Sequence, residues 1–166
     1  MNEIINSNQL NIHPEQLRQF QSIMTKLLQC CNERMQYQSQ RFNLPDAELR
    51  CLILFEGERY LTPKNIANRM NVVKSRVTKI INGLVKRDLV QKIKDPGDSR
   101  ITLLSLTSQG QKKLSDILDF NNCIHREVLI AMGPEQRKIM LTNLDMLKAS
   151  MEYAKDFMTR DSSSLD

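Results

Sequence analysis

Residues 61–110 read LTPKNIANRMNVVKSRVTKIINGLVKRDLVQKIKDPGDSRITLLSLTSQG, and their order decides the fold. Thr62-Pro63 is a helix start: a hydroxyl able to cap, then a proline where no backbone N–H is required. The helix runs from Pro63 to about Met70, with Ile66, Ala67 and Met70 inward. Asn71 tolerates the left-handed conformation that closes a turn. A second helical pattern starts at once. Its period sends Val73, Val77, Ile80, Ile81, Leu84 and Val85 inward and Lys74, Ser75, Arg76, Thr78, Lys79 and Asn82 outward. Two short helices joined by about three residues, the second basic on its outer side, make a helix-turn-helix. Two β-like runs follow, residues 89–94 and 101–106, separated by the turn sequence Asp95-Pro96-Gly97-Asp98-Ser99-Arg100. A hairpin directly after the second helix is a wing.

On the N-terminal side, a long amphipathic helix is expected over residues 14 to about 41. Leu17, Phe20, Met24, Leu27, Cys31 and Met35 recur at spacings of three and four. That stripe is too long for one small core and suits packing against a second chain. Asn43-Leu44-Pro45 breaks it. Asp46 and Glu48 then sit at the positive end of a core helix carrying Leu49, Leu52, Ile53 and Phe55, and Gly57 stops it. On the C-terminal side, Thr107-Ser108 caps a further helix, with Gln111 three residues after Ser108 as in a capping box. Its stripe is Leu114, Ile117, Leu118, Ile124 and Val128. Gly133-Pro134 ends it and starts the last helix, striped by Met140, Leu144, Leu147, Met151, Ala154 and Met158.

The expected fold class is therefore mainly α with a small β-hairpin. A winged helix over about 44–106 lies between long N- and C-terminal helices (about 14–41 and 108–158) that dimerise. An N-terminal extension, 1–13, precedes them and a disordered polar tail, 159–166, follows. No stretch approaches the ~18–20 uncharged apolar residues of a membrane span. The first twelve residues lack the basic region and apolar run of a secretion signal, so a cytoplasmic protein with no membrane partner is expected.

Charge is concentrated in the quoted stretch. The chain sums to +5, but residues 64–100 carry ten basic and three acidic side chains, a local +7, and no acid occurs from Arg59 through Arg87. A field of this kind attracts polyanions, nucleic acid first. Lys74, Arg76 and Lys79 can donate to guanine edges, and the Ser75 and Thr78 hydroxyls can serve bases or phosphates. These lie in the first turns, the part of such a helix that enters the major groove, and Asn82 is a further outward candidate for DNA contact. Arg100, on a projecting hairpin, suits a narrow and electronegative minor groove. Lys92 and Lys94 approach phosphates.

The helix–turn–helix–wing order with two long amphipathic flanks resembles the MarR family of bacterial transcription regulators, over residues 14–158 as a single domain. The closest resemblance runs from Leu61-Thr62-Pro63 to Thr107-Ser108-Gln109-Gly110. Lys74 to Lys79 looks like the start of that family's recognition helix, and Asp98-Ser99-Arg100 like its wing-tip Asp-x-Arg. Leu106-Thr107 followed by Gly110 looks like its strand-to-helix junction. The resemblance implies a homodimeric, sequence-specific binder of double-stranded DNA that regulates transcription as a repressor and is open to a small-molecule effector. It also implies that Asp98 orients Arg100 through a charge-assisted bond. Two positions depart from the family pattern: Val73 stands where a capping Ser or Asp is usual, and Asp88 stands where Gly is common. Asn82-Gly83 is also unusual inside a helix, where Gly costs ~1 kcal/mol relative to Ala.

Other chemistry has little support. His13 and His125 fall in no zinc-binding spacing, and no phosphate loop, nucleophile elbow or HExxH occurs. No enzyme, metal or cofactor is expected. Cys30, Cys31, Cys51 and Cys123 read as free thiols acting as small hydrophobes. A thiol-based redox sensor is one alternative, since a reactive thiol needs nearby positive charge and some exposure. A winged-helix adaptor for an acidic protein partner is the other. The methionines, among them Met24, Met35, Met140 and Met151, suit a core or an adaptable interface.

Overall fold

The computed structural model describes residues 12–162 apart from Pro96 and Ser99, with backbone alone from residue 157. Of the expected extension, residues 1–11 lie outside the described ones, as do residues 163–166 of the tail. The element order is α1 (Pro14–Phe42), α2 (Asp46–Ile53), α3 (Pro63–Met70), α4 (Lys74–Lys86), β1 (Val90–Lys94), β2 (Thr102–Leu106), α5 (Ser108–Ile130) and α6 (Pro134–Ser162). This is the mainly α winged helix-turn-helix with one hairpin that the sequence pattern predicts. The chain divides into two compact units, residues 1–118 and 119–166.

The first unit holds the core. Leu49 and Leu52 of α2, Ile66 of α3, Val77 and Leu84 of α4, Leu104 of β2 and Ile117 of α5 are buried together. Each such side chain contributes about 1.5–3 kcal/mol by leaving water. This burial, rather than helix propensity, holds the eight-residue helices α2 and α3 in place. Thr62 caps α3, accepting from the N–H of Asn65 at 3.1 Å, and Asn71 closes it at φ 52°. α1 begins with a cap the sequence reading missed. His13 Nδ1 accepts from the Glu15 N–H, and the Gln16 side chain accepts from the His13 N–H.

β1 and β2 pair antiparallel from Val90↔Leu106 to Lys94↔Thr102. Leu61 adds a further rung, its N–H donating to Leu104 O at 3.0 Å and its carbonyl accepting from Leu104 N at 2.8 Å. A single-residue bridge has no period, so nothing in the sequence announces it.

Three sequence expectations need correction. Val73 and Val85 face outward, at 70% and 36% exposure. Val73 is the extended N-cap of α4, before helical periodicity begins, and Val85 lies at the edge of the buried stripe. The cap of α5 is Thr107, not Ser108 with Gln111. Thr107 Oγ1 accepts from the Gly110 N–H at 3.0 Å, and its carbonyl accepts from Gln111 N at 2.9 Å. Ser108 is already helical because the Thr107 hydroxyl also donates to Asp88 O at 2.5 Å, which anchors Thr107 at the end of the hairpin. Last, α6 continues through Thr159 to Ser162, where a disordered tail was expected. Extending an established helix costs little per residue where no Gly or Pro interrupts it.

In the second unit, Gly133 separates α5 from α6 and donates its N–H to Gln136 Oε1 at 3.0 Å. Leu144, Met146, Met151 and Tyr153 of α6 are exposed. In the first unit, Leu17, Phe20 and Leu27 of the α1 stripe are exposed as well.

Candidate nucleic-acid interface

α4 is amphipathic in the strict sense. Val77, Ile80, Ile81 and Leu84 anchor it in the core, and Lys74, Ser75, Arg76, Thr78, Lys79 and Asn82 remain on its exposed side. No acidic side chain occurs in the first turn of α4. Thr78 Oγ1 donates to Lys74 O at 3.1 Å, so its hydroxyl proton is engaged while its lone pairs still face solvent. The absent side-chain cap at Val73 leaves the first N–H groups of the helix to other acceptors.

The wing is tied to this helix. Lys92 Nζ of β1 donates to Asn82 Oδ1 of α4 at 3.0 Å. Both residues, with Pro63, Thr78, Thr102 and Leu104, border a small cavity of about 150 Å³ between helix and hairpin. Asn82 is thus a strut to the hairpin as well as an exposed polar group. Lys94 is exposed further along β1.

At the wing tip, Asp95 Oδ1 accepts from the N–H groups of Gly97 (2.7 Å) and Asp98 (3.1 Å). Asp98 in turn accepts from the Arg100 backbone N–H at 3.0 Å, from Nε at 3.1 Å and from Nη2 at 3.3 Å. The Arg100 guanidinium beside Asp98, with the Arg100 N–H, holds that carboxyl below its usual range. The Arg100 side chain is 90% exposed. Asp98 thus bonds the guanidinium of an Arg100 side chain that itself stands in solvent.

Behind α4, Asp88 takes a left-handed φ of 55° at the position where glycine is common. Gly83 sits against Glu48 of α2: a Cβ there would lie 2.0 Å from Glu48 Oε1. That pairing of residues 35 apart was invisible in sequence, though the glycine inside a helix marked the spot. Of the thiols, Cys30, Cys31 and Cys123 are exposed and Cys51 is buried, and burial pushes the Cys51 thiol up to about 12, with Glu48 adding to the effect. Among the described residues no group of three His, Cys, Asp or Glu side chains is placed to hold a metal ion, and no helix is long and apolar enough to cross a membrane.

Comparison with known proteins agrees with this geometry. A family model described as MarR family matches residues 42–101. The transcriptional regulator AdcR of Streptococcus pyogenes is 36% identical over 73 residues, 44% of this chain and 49% of that protein. The chain spans between 49% and 64% of the length of the curated regulators it matches. Among solved structures, a MarR family protein from Bacillus stearothermophilus superposes with a TM-score of 0.76 at 14% identity, covering 85% of this chain and 99% of that one. Streptococcus pneumoniae FabT in complex with DNA gives 0.72 at 18% identity, covering 80% and 97%. Residues 42–101, which hold most of the winged helix-turn-helix, thus match the MarR family model, on a fold shared with solved MarR family structures.

Proposed function

We propose that the protein is a sequence-specific, double-stranded-DNA-binding transcription regulator, a cytoplasmic repressor acting as a homodimer. The observation that carries this reading is the exposed row Lys74, Ser75, Arg76, Thr78 and Lys79 on a helix flanked by a wing whose Arg100 projects into solvent. α4 enters the major groove with its first turns, Arg76 donating to a guanine edge and Lys74 and Lys79 to guanine or phosphate. Arg100 enters the minor groove, and Lys94 meets the backbone. The likeness to FabT, whose solved structure contains DNA, supports the same use of the fold.

Residues 14–158 act as one regulator domain in this reading. The exposed apolar side chains of α1 and α6 support pairing with a second copy through the long helices. A two-fold pair spaces its recognition helices about one turn of DNA apart, ~34 Å, and favours pseudo-palindromic sites. A cleft of about 460 Å³, bordered by Met35, Gln36, Ser39 and Gln40 of α1 and Asp46 of α2, suits a small polar effector. Such a ligand acts by binding one spacing of the two heads better than another.

Electrophoretic shifts with genomic fragments at several salt concentrations test the reading. Neutralising ~6 phosphates predicts a slope near −5 on a log–log salt plot. Absence of a shift at low salt would instead favour an adaptor for an acidic protein.

A further inference from the structure

Val73 is 70% exposed at the N-cap of α4, extended at φ −69° and ψ 152°, with no side-chain cap bond. Its neighbour Val72 packs against the core, and the next three residues, Lys74, Ser75 and Arg76, are exposed. An isopropyl group therefore leads the basic face of the helix. A serine or aspartate there would cap α4, and valine forgoes that bond. Valine has nothing to donate to a phosphate or to a base edge. In the major groove its one favourable partner is apolar, and the apolar feature of that groove is the C5-methyl group of thymine. Its branched side chain is stiff at χ1, so little freedom is lost on contact.

We propose that Val73 is a specificity-determining residue that packs on the methyl group of one thymine in each half-site. The inference rests on the DNA-binding reading above and deepens it. Because no counterion is released by an apolar contact, Val73 contributes to base preference but not to the salt dependence of binding.

Duplexes selected by the wild-type protein from a random pool are resynthesised with each thymine replaced in turn by deoxyuridine, which removes the methyl group alone. The expected result is a loss of about fourfold in affinity at one thymine per half-site, the worth of one buried methyl. Val73→Ser and Val73→Ala lose that sensitivity and keep the wild-type salt slope. Tolerance of deoxyuridine at every position, a selected site with no thymine, or sensitivity that persists in both variants overturns the assignment. A wild-type protein that selects no duplex at all overturns the DNA-binding reading itself, and the role of Val73 with it.

Discussion

Arg87 at the C-terminal end of α4 donates its Nε to Glu48 of α2 at 3.0 Å, and the same carboxylate fills the space beside Gly83. Arg87 Nη1 also donates to Asn43 O, at the C-cap of α1, at 3.3 Å. One side chain thus joins the ends of α1 and α4 to the flank of α2. The arrangement explains a glycine in the middle of a helix, where it costs about 1 kcal/mol relative to alanine: the missing Cβ is what lets Glu48 lie against α4. The Glu48 side chain is only 14% exposed, so the pair is better shielded than an ordinary surface bridge.

Gly83→Ala alone is expected to leave stability within about 0.5 kcal/mol of wild type, because the gain in helix propensity is offset by expelling Glu48 from Arg87. In an Arg87→Ala background the carboxylate is already loose, and Gly83→Ala then stabilises by about 1 kcal/mol. Urea unfolding of the four proteins measures the coupling. Additive effects would show that Gly83 and Arg87 do not share Glu48.

Gly110→Ala is expected to be far more damaging. Its Cβ would lie 1.9 Å from Leu89 O, a backbone atom that also accepts from the Thr107 N–H at 3.1 Å. Neither side can swing away, so the hairpin and α5 must separate, at roughly 2–3 kcal/mol. A thermal unfolding midpoint equal to wild type would contradict the close approach.

Asp88→Gly works in the opposite direction. A φ of 55° costs a β-carbon-bearing residue about 1 kcal/mol, and glycine none. The variant should unfold at higher urea concentration with an unchanged slope. The Asp88 carbonyl that accepts from Thr107 Oγ1 is backbone and survives the change.

Arg100→Ala is expected to weaken DNA binding by about tenfold or more while leaving the unfolding midpoint unchanged, since the Arg100–Asp98 pair is exposed. Hydrogen bonds from Arg100 lower the pKa of Asp98 in the folded protein. The interaction is therefore present above the ordinary carboxylate range and is lost only as pH falls through the lowered value. Anisotropy titrations between about pH 8 and about pH 5 should show no step from Asp98. Unaltered affinity of the alanine variant would remove Arg100 from the interface.

Cys51 should resist alkylation in the native protein. Burial raises its thiol to about 12, and the nucleophilic thiolate is correspondingly scarce. Iodoacetamide is expected to modify it only after unfolding in urea, as read from the mass of its tryptic peptide. Modification at the native-state rate of an exposed thiol would show that the core around α2 opens readily.

Local signals carried most of this fold. Thr62-Pro63 starts α3, Asn71 turns the chain at φ 52°, and the 3.6-residue period of Val77, Ile80, Ile81 and Leu84 separates the buried side of α4 from Lys74, Ser75, Arg76, Thr78 and Lys79. The wing was legible from two β-prone runs around Asp-Pro-Gly-Asp, and Asp98-Ser99-Arg100 marked its tip. All of these depend on residues within a few positions of one another, where backbone sterics and side-chain period act directly.

Contacts between distant residues were decided by packing alone. Glu48 meets Gly83 and Arg87, Lys92 reaches Asn82, Leu61 pairs with Leu104, and Gly110 meets Leu89, each across ten or more residues. Val73 shows the boundary between the two regimes. Helical period assigned it to the core, but it precedes the first helical residue, so the extended backbone at the cap turned its side chain to solvent. Period governs a side chain's direction only where the helix exists, and where the helix begins is settled by the surrounding fold.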